Sequence, residues 1–281
     1  MKVSIIGHGF VGKALELGLN DNIEKLIIDP IYKNNISEIS NFNPSIIFIC
    51  VPTPMYDDGN QDLNILNNVL AELKNTDTES SIVLKSTVLP SGIQNIENLF
   101  PEIVYNPEFL TEKNSVNDFI NADQIILGGK MDNTSKISLF YKKHTKCITN
   151  NYIFTDLITA SFVKYAINCF LASKVIFFNE LNQLFINSDT NEKWENFLDM
   201  MSSDSRIGDS HMQVPGPDGR YGFGGACFPK DAEAFYKYSV LMESPLNLLK
   251  KVIDLNKDIR NTYDNLTGRE IDQNITFSSK D

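Results

Sequence analysis

Short apolar runs alternate with longer amphipathic stretches through the first half of the chain, and the alternation breaks near residue 154. Lys2–Ile6, Lys25–Asp29, Ser45–Val51, Ser81–Leu84, Glu102–Tyr105 and Gln124–Gly129 each read as a short buried strand, with a last one at Lys146–Thr149. Between them, apolar residues at helical spacing predict helices up to Leu19, over Asp62–Leu73 and over Ser135–Lys143. Strands alternating with helices predict an α/β fold, a doubly wound sheet over residues 1–153. From Thr155 the period is helical: Phe162, Tyr165, Ala166, Cys169, Phe170, Ile176, Phe177 and Leu181 form one stripe lasting to about Phe185. That exceeds the usual helix of ~10–14 residues and predicts a long helix joining two domains. Further helical patterns over Glu192–Met201, from Asp231 to about Leu241 and from Pro245 to about Tyr263 give an all-α central domain, residues 154–264. The polar tail, 265–281, is expected to fray.

The first predicted strand runs into Gly7-His8-Gly9-Phe10-Val11-Gly12 and then a helix. In that strand-to-helix setting the glycines allow a tight turn, close approach of a pyrophosphate and close helix packing, with the helix N-terminus as the anion site. The second strand ends in Asp29, an acid suited to ribose hydroxyls and repellent to the 2′-phosphate of NADP, so a Rossmann-like domain binding NAD is expected. Phe10, Val11 and Lys33 are counted with Gly7, Gly9, Gly12 and Asp29 as cofactor contacts. Thr53 and Thr87 follow the third and fourth strands at their carboxyl ends, where such sheets bind ligands. After the fifth strand, Asn106-Pro107-Glu108-Phe109-Leu110-Thr111-Glu112 carries two acids.

Composition narrows the class. With 42% hydrophobic and 22% charged residues the 281-residue chain is of ordinary globular make-up. A net charge of -11 argues against nucleic acid as a partner. No C-x-x-C pair occurs among the four cysteines, which argues against zinc and disulfide frameworks; no metal is expected. No apolar run approaches the ~20 residues of a membrane span and no signal peptide is recognised, so a cytoplasmic location with no membrane partner is the expectation.

The densest chemistry lies at Phe223-Gly224-Gly225-Ala226-Cys227-Phe228-Pro229-Lys230-Asp231. Pro229 opens a helix, and Cys227 falls at its N-terminus, where free N–H groups, the helix dipole and the nearby Lys230 favour a thiolate. A long Gly-, Pro- and Asp-rich loop, Ser202–Gly225, leads into it, and loops of that length are functional or disordered. On the long helix Lys164 and Asn168 share a face and can converge on one ligand atom.

Taken together, Gly7-x-Gly9-x-x-Gly12, Val51-Pro52-Thr53-Pro54, Ser86-Thr87-Val88, Asn106–Leu110, Lys164-Tyr165-Ala166-x-Asn168-x-Phe170, Arg206-Ile207-Gly208 and Gly224–Asp231 resemble, in order, the motifs of the UDP-glucose 6-dehydrogenase and GDP-mannose dehydrogenase family. The resemblance implies NAD-dependent oxidation of a nucleotide sugar's C6 alcohol to the carboxylate, UDP-glucose being the first candidate, through a thiohemiacetal and a thioester at Cys227. It further implies that Lys164 and Asn168 stabilise an oxyanion and that Thr87, Glu112 and Asp231 hold or deprotonate water. Lys230 and Glu112 join the cofactor contacts, and Glu108, Phe109, Leu110, Glu112, Lys164, Asn168, Arg206, His211, Phe223 and Gly224 line the sugar nucleotide.

Thr111 and His211 depart from the family's usual residues at those positions. Full-length members continue into a second α/β domain that grips the nucleotide, so the expectation is a chain lacking it: a compact variant, or one whose missing part is supplied elsewhere. Arg206 resembles a residue that reaches a neighbouring subunit, and a homodimer through the central helices is expected. Two rival readings are a β-hydroxyacid or 6-phosphogluconate type dehydrogenase, which has no use for Cys227, and a truncated, catalytically silent NAD-binding protein.

Overall fold

The structure, a computed structural model, describes residues 1–111 and 113–277. It divides into two compact units, one made of Met1–Pro54 and Gln61–Lys164, the other of Met55–Asn60 and the chain from Tyr165 onward.

The first unit runs β1 (Lys2–Ile6), α1 (Phe10–Gly18), β2 (Glu24–Ile28), a 3₁₀ turn (Ile36–Glu38), α2 (Ile39–Phe42), β3 (Ile46–Ile49), α3 (Asn64–Lys74) and β4 (Ser81–Leu84). It continues through α4 (Pro90–Leu99), β5 (Val104–Tyr105), α5 (Ser115–Ile120), β6 (Ile125–Gly128), α6 (Met131–His144) and β7 (Tyr152–Thr155). The strands form one sheet in the order β2-β1-β3-β4-β5-β6-β7. All neighbouring pairs are parallel except β5 with β6. Side chains alternate across the sheet, so Ile47 and Ile49 enter one core layer and Phe48 the other. Burial on both faces is why these strands read as unbroken apolar runs.

Helices α2, α4 and α5 and the place of the last strand differ from the sequence expectation. The last strand is β7, at Tyr152–Thr155, not Lys146–Thr149. The backbone N–H groups of Lys146 and Ile148 instead donate to Gly18 and Ile120, at the ends of α1 and α5. Helix α4, which the strand-end pattern did not predict, opens with Pro90 in its first turn, where a missing N–H costs nothing.

The predicted long helix is α7, Leu157–Ile186, 30 residues without a break. Its length and a mean hydropathy of 1.4 reach those of a membrane span, against the sequence expectation. Lys164, Asn168, Asn179 and Asn182 are nevertheless buried along it, and the first three are bonded to protein groups, as in a core helix.

Within the second unit follow α8 (Trp194–Ser202), α9 (Phe228–Leu241), α10 (Asn247–Arg260) and α11 (Gly268–Asp272). Ala172 and Ile176 of α7 pack with Phe223 and Val252, while Phe178 packs with Trp194, Met212 and Val214. Tyr165 stacks on Phe235 with ring centroids 5.3 Å apart.

The expected fraying of the tail is overturned between residues 265 and 277. Thr267 and Glu270 form a capping box at the start of α11, and Ile275 and Phe277 are buried. Glu270, with no exposed surface, accepts the Gly225 N–H at 3.0 Å and the Thr267 N–H at 2.7 Å. Gln273 and Asn274 hold the 55–60 segment: the Met55 N–H donates to the Gln273 carbonyl at 3.1 Å, and Asn274 Nδ2 donates to the Met55 carbonyl and to Asp57. Glu270→Ala should therefore lower stability by about 2–3 kcal/mol, since it removes a buried carboxylate that accepts two backbone N–H groups. Urea denaturation followed by tryptophan fluorescence, Trp194 being in this unit, measures it.

Candidate active site

In the first unit the glycine turn is tight because of what surrounds it. Gly7 has φ +90°, and a Cβ there would lie 2.7 Å from the Cys50 carbonyl carbon. A Cβ at Gly12 would collide with the Gly7 carbonyl oxygen, whereas one at Gly9 would meet nothing within 4 Å. The turn is thus closed towards the protein and open at Gly9, the position a pyrophosphate approaches. Gly9 is the N-cap of α1, whose first turn carries no side-chain cap and no acid, so the positive end of the helix dipole favours an anion there.

Asp29, just past β2, is oriented by the backbone N–H groups of His8 (2.6 Å) and Ile31 (3.1 Å). Its fixed negative charge suits ribose hydroxyls and opposes a 2′-phosphate. Lys33 is exposed in the turn beyond it, and Phe10 and Val11 are half-buried at the start of α1. Thr53 Oγ1 donates to the Thr87 carbonyl at 2.8 Å and Ser86 Oγ to the Val51 carbonyl at 2.7 Å, stitching together the loops that leave β3 and β4.

Two residues read separately in the sequence form a buried ion pair. Lys164 Nζ lies 3.1 Å from Glu108 Oε1 and 2.5 Å from the Glu108 carbonyl oxygen, and 5.2 Å from the centroid of the Phe109 ring. The other Glu108 oxygen accepts the Leu110 N–H at 2.8 Å. Burial alone would push the Glu108 carboxyl up, but the Lys164 charge, the Leu110 N–H and the charge of Lys85 together hold it below its ordinary value. Glu112, the second acid of this loop, lies outside the described residues.

In the second unit, Cys227 is the N-cap of α9; its carbonyl accepts the Asp231 N–H at 2.9 Å and the residue is half-exposed. Asp231 is 1% exposed. Its carboxylate takes Asn168 Nδ2 at 2.6 Å on one oxygen and Lys230 Nζ at 2.5 Å on the other. Lys230, expected at the cofactor, is thus bonded to the neighbouring acid. Cys50 is pushed up to about 12 by burial, and burial together with the Asp231 charge pushes Cys169 up as well.

The loop before Cys227 is pinned by side chains that sequence reasoning did not single out. Asn256 bonds both the N–H and the carbonyl of Phe223, at 2.7 and 2.9 Å. Asn179 accepts the Gly222 N–H, and buried Arg260 reaches the Gly222 carbonyl (3.0 Å) and Asp218 (2.6 Å). A Cβ at Gly224 would strike Glu270 and Arg260. The available signal was Asn256 and Arg260, four apart within the apolar stripe of α10.

His211 takes a left-handed φ of +61°, its ring lies 5.4 Å from that of Phe228, and its buried Nδ1 has no hydrogen-bond partner among the described residues. Burial and the Lys174 charge lower its pKa. Arg206 is exposed and paired with Asp204 of its own turn.

A mostly parallel sheet with an open glycine turn and a fixed acid, followed by a helical unit bearing a cysteine at a helix N-cap position, defines a dinucleotide-dependent dehydrogenase fold. The chain matches the profile of the UDP-glucose/GDP-mannose dehydrogenase family NAD binding domain over residues 16–145 and that of the same family's central domain over residues 158–258. It belongs to that family of NAD-dependent oxidoreductases, and its first unit is an NAD-binding domain. The first match begins past the glycine turn, so the turn is judged on its geometry, which fits NAD.

Among curated relatives, a UDP-glucose 6-dehydrogenase of Rickettsia bellii is 31% identical over 92% of this chain and 67% of its own length. One of Rickettsia felis is 33% identical over 81% of this chain and 50% of its own. The chain therefore spans between half and two thirds of these relatives. A solved UDP-glucose dehydrogenase from Pyrobaculum islandicum superposes with a TM-score of 0.76 at 23% identity, covering 92% of this chain and 68% of that one, a likeness of fold.

The Glu108 pair has a signature in pH. A carboxyl lowered by folding adds stability that is fully present above its ordinary value near 4.5 and is lost as pH falls through the lower folded value. The stability gap between wild type and Glu108→Gln should be widest at neutral pH and close as pH drops below that value. Urea midpoints taken from pH 7 to pH 3 measure it.

Proposed function

We propose that this chain oxidises the C6 primary alcohol of a nucleotide sugar to the carboxylate, UDP-glucose being the first candidate, and that Cys227 is the nucleophile. The observation that carries the reading is the partly buried Cys227 at the N-cap position of α9, in one unit with the buried Asn168–Asp231 pair. NAD, when bound, accepts a hydride in each of two oxidations. The alcohol first loses a proton and a hydride to become an aldehyde. The Cys227 thiolate adds to the aldehyde carbon and keeps the intermediate from escaping; loss of the second hydride leaves a thioester. Water then displaces the sulfur, giving carboxylate and thiol.

Lys164 and Asn168, one turn apart on α7, stabilise the oxyanion that forms at this carbon. In the geometry described, Lys164 is engaged by Glu108 and Asn168 by Asp231, so each donates to the substrate while its acid holds it in place. Asp231 and Thr87, with Glu112, serve the attacking water and its protons. Glu108, Phe109, Leu110, Arg206, His211, Phe223 and the Gly224 backbone line the sugar nucleotide, with the unpartnered His211 Nδ1 free to meet a hydroxyl. A cytoplasmic location belongs to the same proposal.

Cys227→Ser should abolish acid formation, by roughly 10³-fold or more, when NADH release is followed with UDP-glucose, UDP-N-acetylmannosamine and GDP-mannose. Full activity in that variant would point to a hydroxyacid-type dehydrogenase. No NADH from wild type with any of the three would favour a silent NAD-binding protein.

The chain acts as a homodimer through α7 in this reading. Phe170, Phe177 and Leu184 are 68%, 56% and 67% exposed at intervals of seven residues, an apolar helical seam open to a second copy. Phe177→Asp should convert a dimer into a monomer in light scattering; an unchanged mass would remove α7 from the interface.

A further inference from the structure

Lys85, the last residue before Ser86 and Thr87, is a cation almost without solvent, 4% exposed at the carboxyl end of β4. Among the described residues, no carboxylate bonds it. Its Nζ donates to Asn106 Oδ1 at 2.9 Å, to the Asn106 carbonyl at 3.3 Å and to Tyr141 Oη at 3.4 Å, all neutral oxygens. Burial pushes its pKa down, opposed by the charge of Glu108, with Lys164 adding to the fall. A buried charge on neutral partners is costly, and a methionine would fill the space more cheaply. Lys85 is not needed to pair with an acid, so its value lies in what it holds.

What it holds is Asn106. That residue also accepts Tyr141 Oη–H at 2.5 Å, donates through Nδ2 to the Ile126 carbonyl at 2.9 Å and donates its backbone N–H to the Leu84 carbonyl at 2.8 Å. Asn106 is thereby clamped to β4, β6 and α6. Two residues on, the Glu108 carbonyl and carboxylate receive Lys164. The lysines approach this short segment at both ends, Lys85 on Asn106 and Lys164 on Glu108.

We propose that Lys85 is a positioning residue: through Asn106 it fixes the 106–108 turn that presents Glu108 to Lys164, and its charge joins that of Lys164 on the Glu108 carboxylate. The charged or titratable groups near Glu108 are then Lys164 on α7, Lys85 after β4 and the neutral thiol of Cys50 after β3. The catalytic sense of this rests on the function proposed above; the electrostatic sense does not.

The test is the titration of Glu108 followed by the carboxyl ¹³C shift of glutamate-labelled full chain, the resonance being assigned by its loss in Glu108→Gln. Lys85→Gln keeps a hydrogen bond to Asn106 and removes the charge; Lys85→Met removes both. Each should raise the Glu108 midpoint, by about one pH unit for the methionine. Asn106→Ala, which leaves the charge but cuts its connection to the turn, should also raise it. A merely structural Lys85 would lower the melting temperature in these variants and leave the Glu108 midpoint where it is, which would overturn the proposal, as would an unchanged midpoint in whichever variant folds. With nucleotide sugar, Lys85→Met should lower kcat, and adding it to Lys164→Met should cost nothing further; additive losses would count against the link. Wild type that makes no NADH would refute the catalytic reading alone, and the titration would still decide the role of Lys85.

Discussion

An ammonium and a carboxylate that have both left water are tolerable only in contact, and the Glu108–Lys164 pair sets that condition for the first unit. Lys164 spends its donors on both the side chain and the backbone of Glu108 and rests over Phe109, while the second Glu108 oxygen takes the Leu110 N–H. The loop after β5 is therefore tied to the opening turns of α7. Asp231 in the second unit obeys the same rule through Asn168, one helical turn further along α7, and through Lys230. A single unbroken helix thus supplies the partner of one buried acid in each unit.

The loop that leads to Cys227 shows how order is achieved without regular structure. From Gly222 to Gly225 its polar backbone groups meet Asn179, Asn256, Arg260 and Glu270, and the Tyr221 N–H meets the Tyr263 hydroxyl. Each partner stands on a helix or just beyond one, so the segment before the thiol inherits the rigidity of α7, α10 and α11. Such outside support is what holds the Cys227 side chain in place more firmly than the loop's own bonds could.

Most of the sheet was legible because strands buried on two faces leave continuous apolar runs. The exception, β7, lies at the sheet edge with Ile153 and Phe154 exposed, and its run is less conspicuous than the apolar Cys147-Ile148 nearby. Helix α4 has only Ile93 and Ile96 facing inward from its middle, too sparse a stripe to declare itself. For the tail the signal was present, Thr267 and Glu270 at capping-box spacing, but polarity outweighed it. Cys227, Lys164, Asn168 and Asp231 stood out by residue type and motif. Their pairings did not, because Glu108 and Lys164 are 56 positions apart and Asn168 and Asp231 63, distances that only packing can close.

The second unit is not contiguous in the chain, since Met55–Asn60 belongs to it. Asn274 reaches Met55 across 219 positions, so the six early residues emerge from a ribosome long before the tail that secures them. Closure of so large a loop comes late and cannot be local. Biosynthesis therefore leaves the 55–60 strip waiting on residues made 219 positions later, and the turn after α11 acts as the clasp that completes its module.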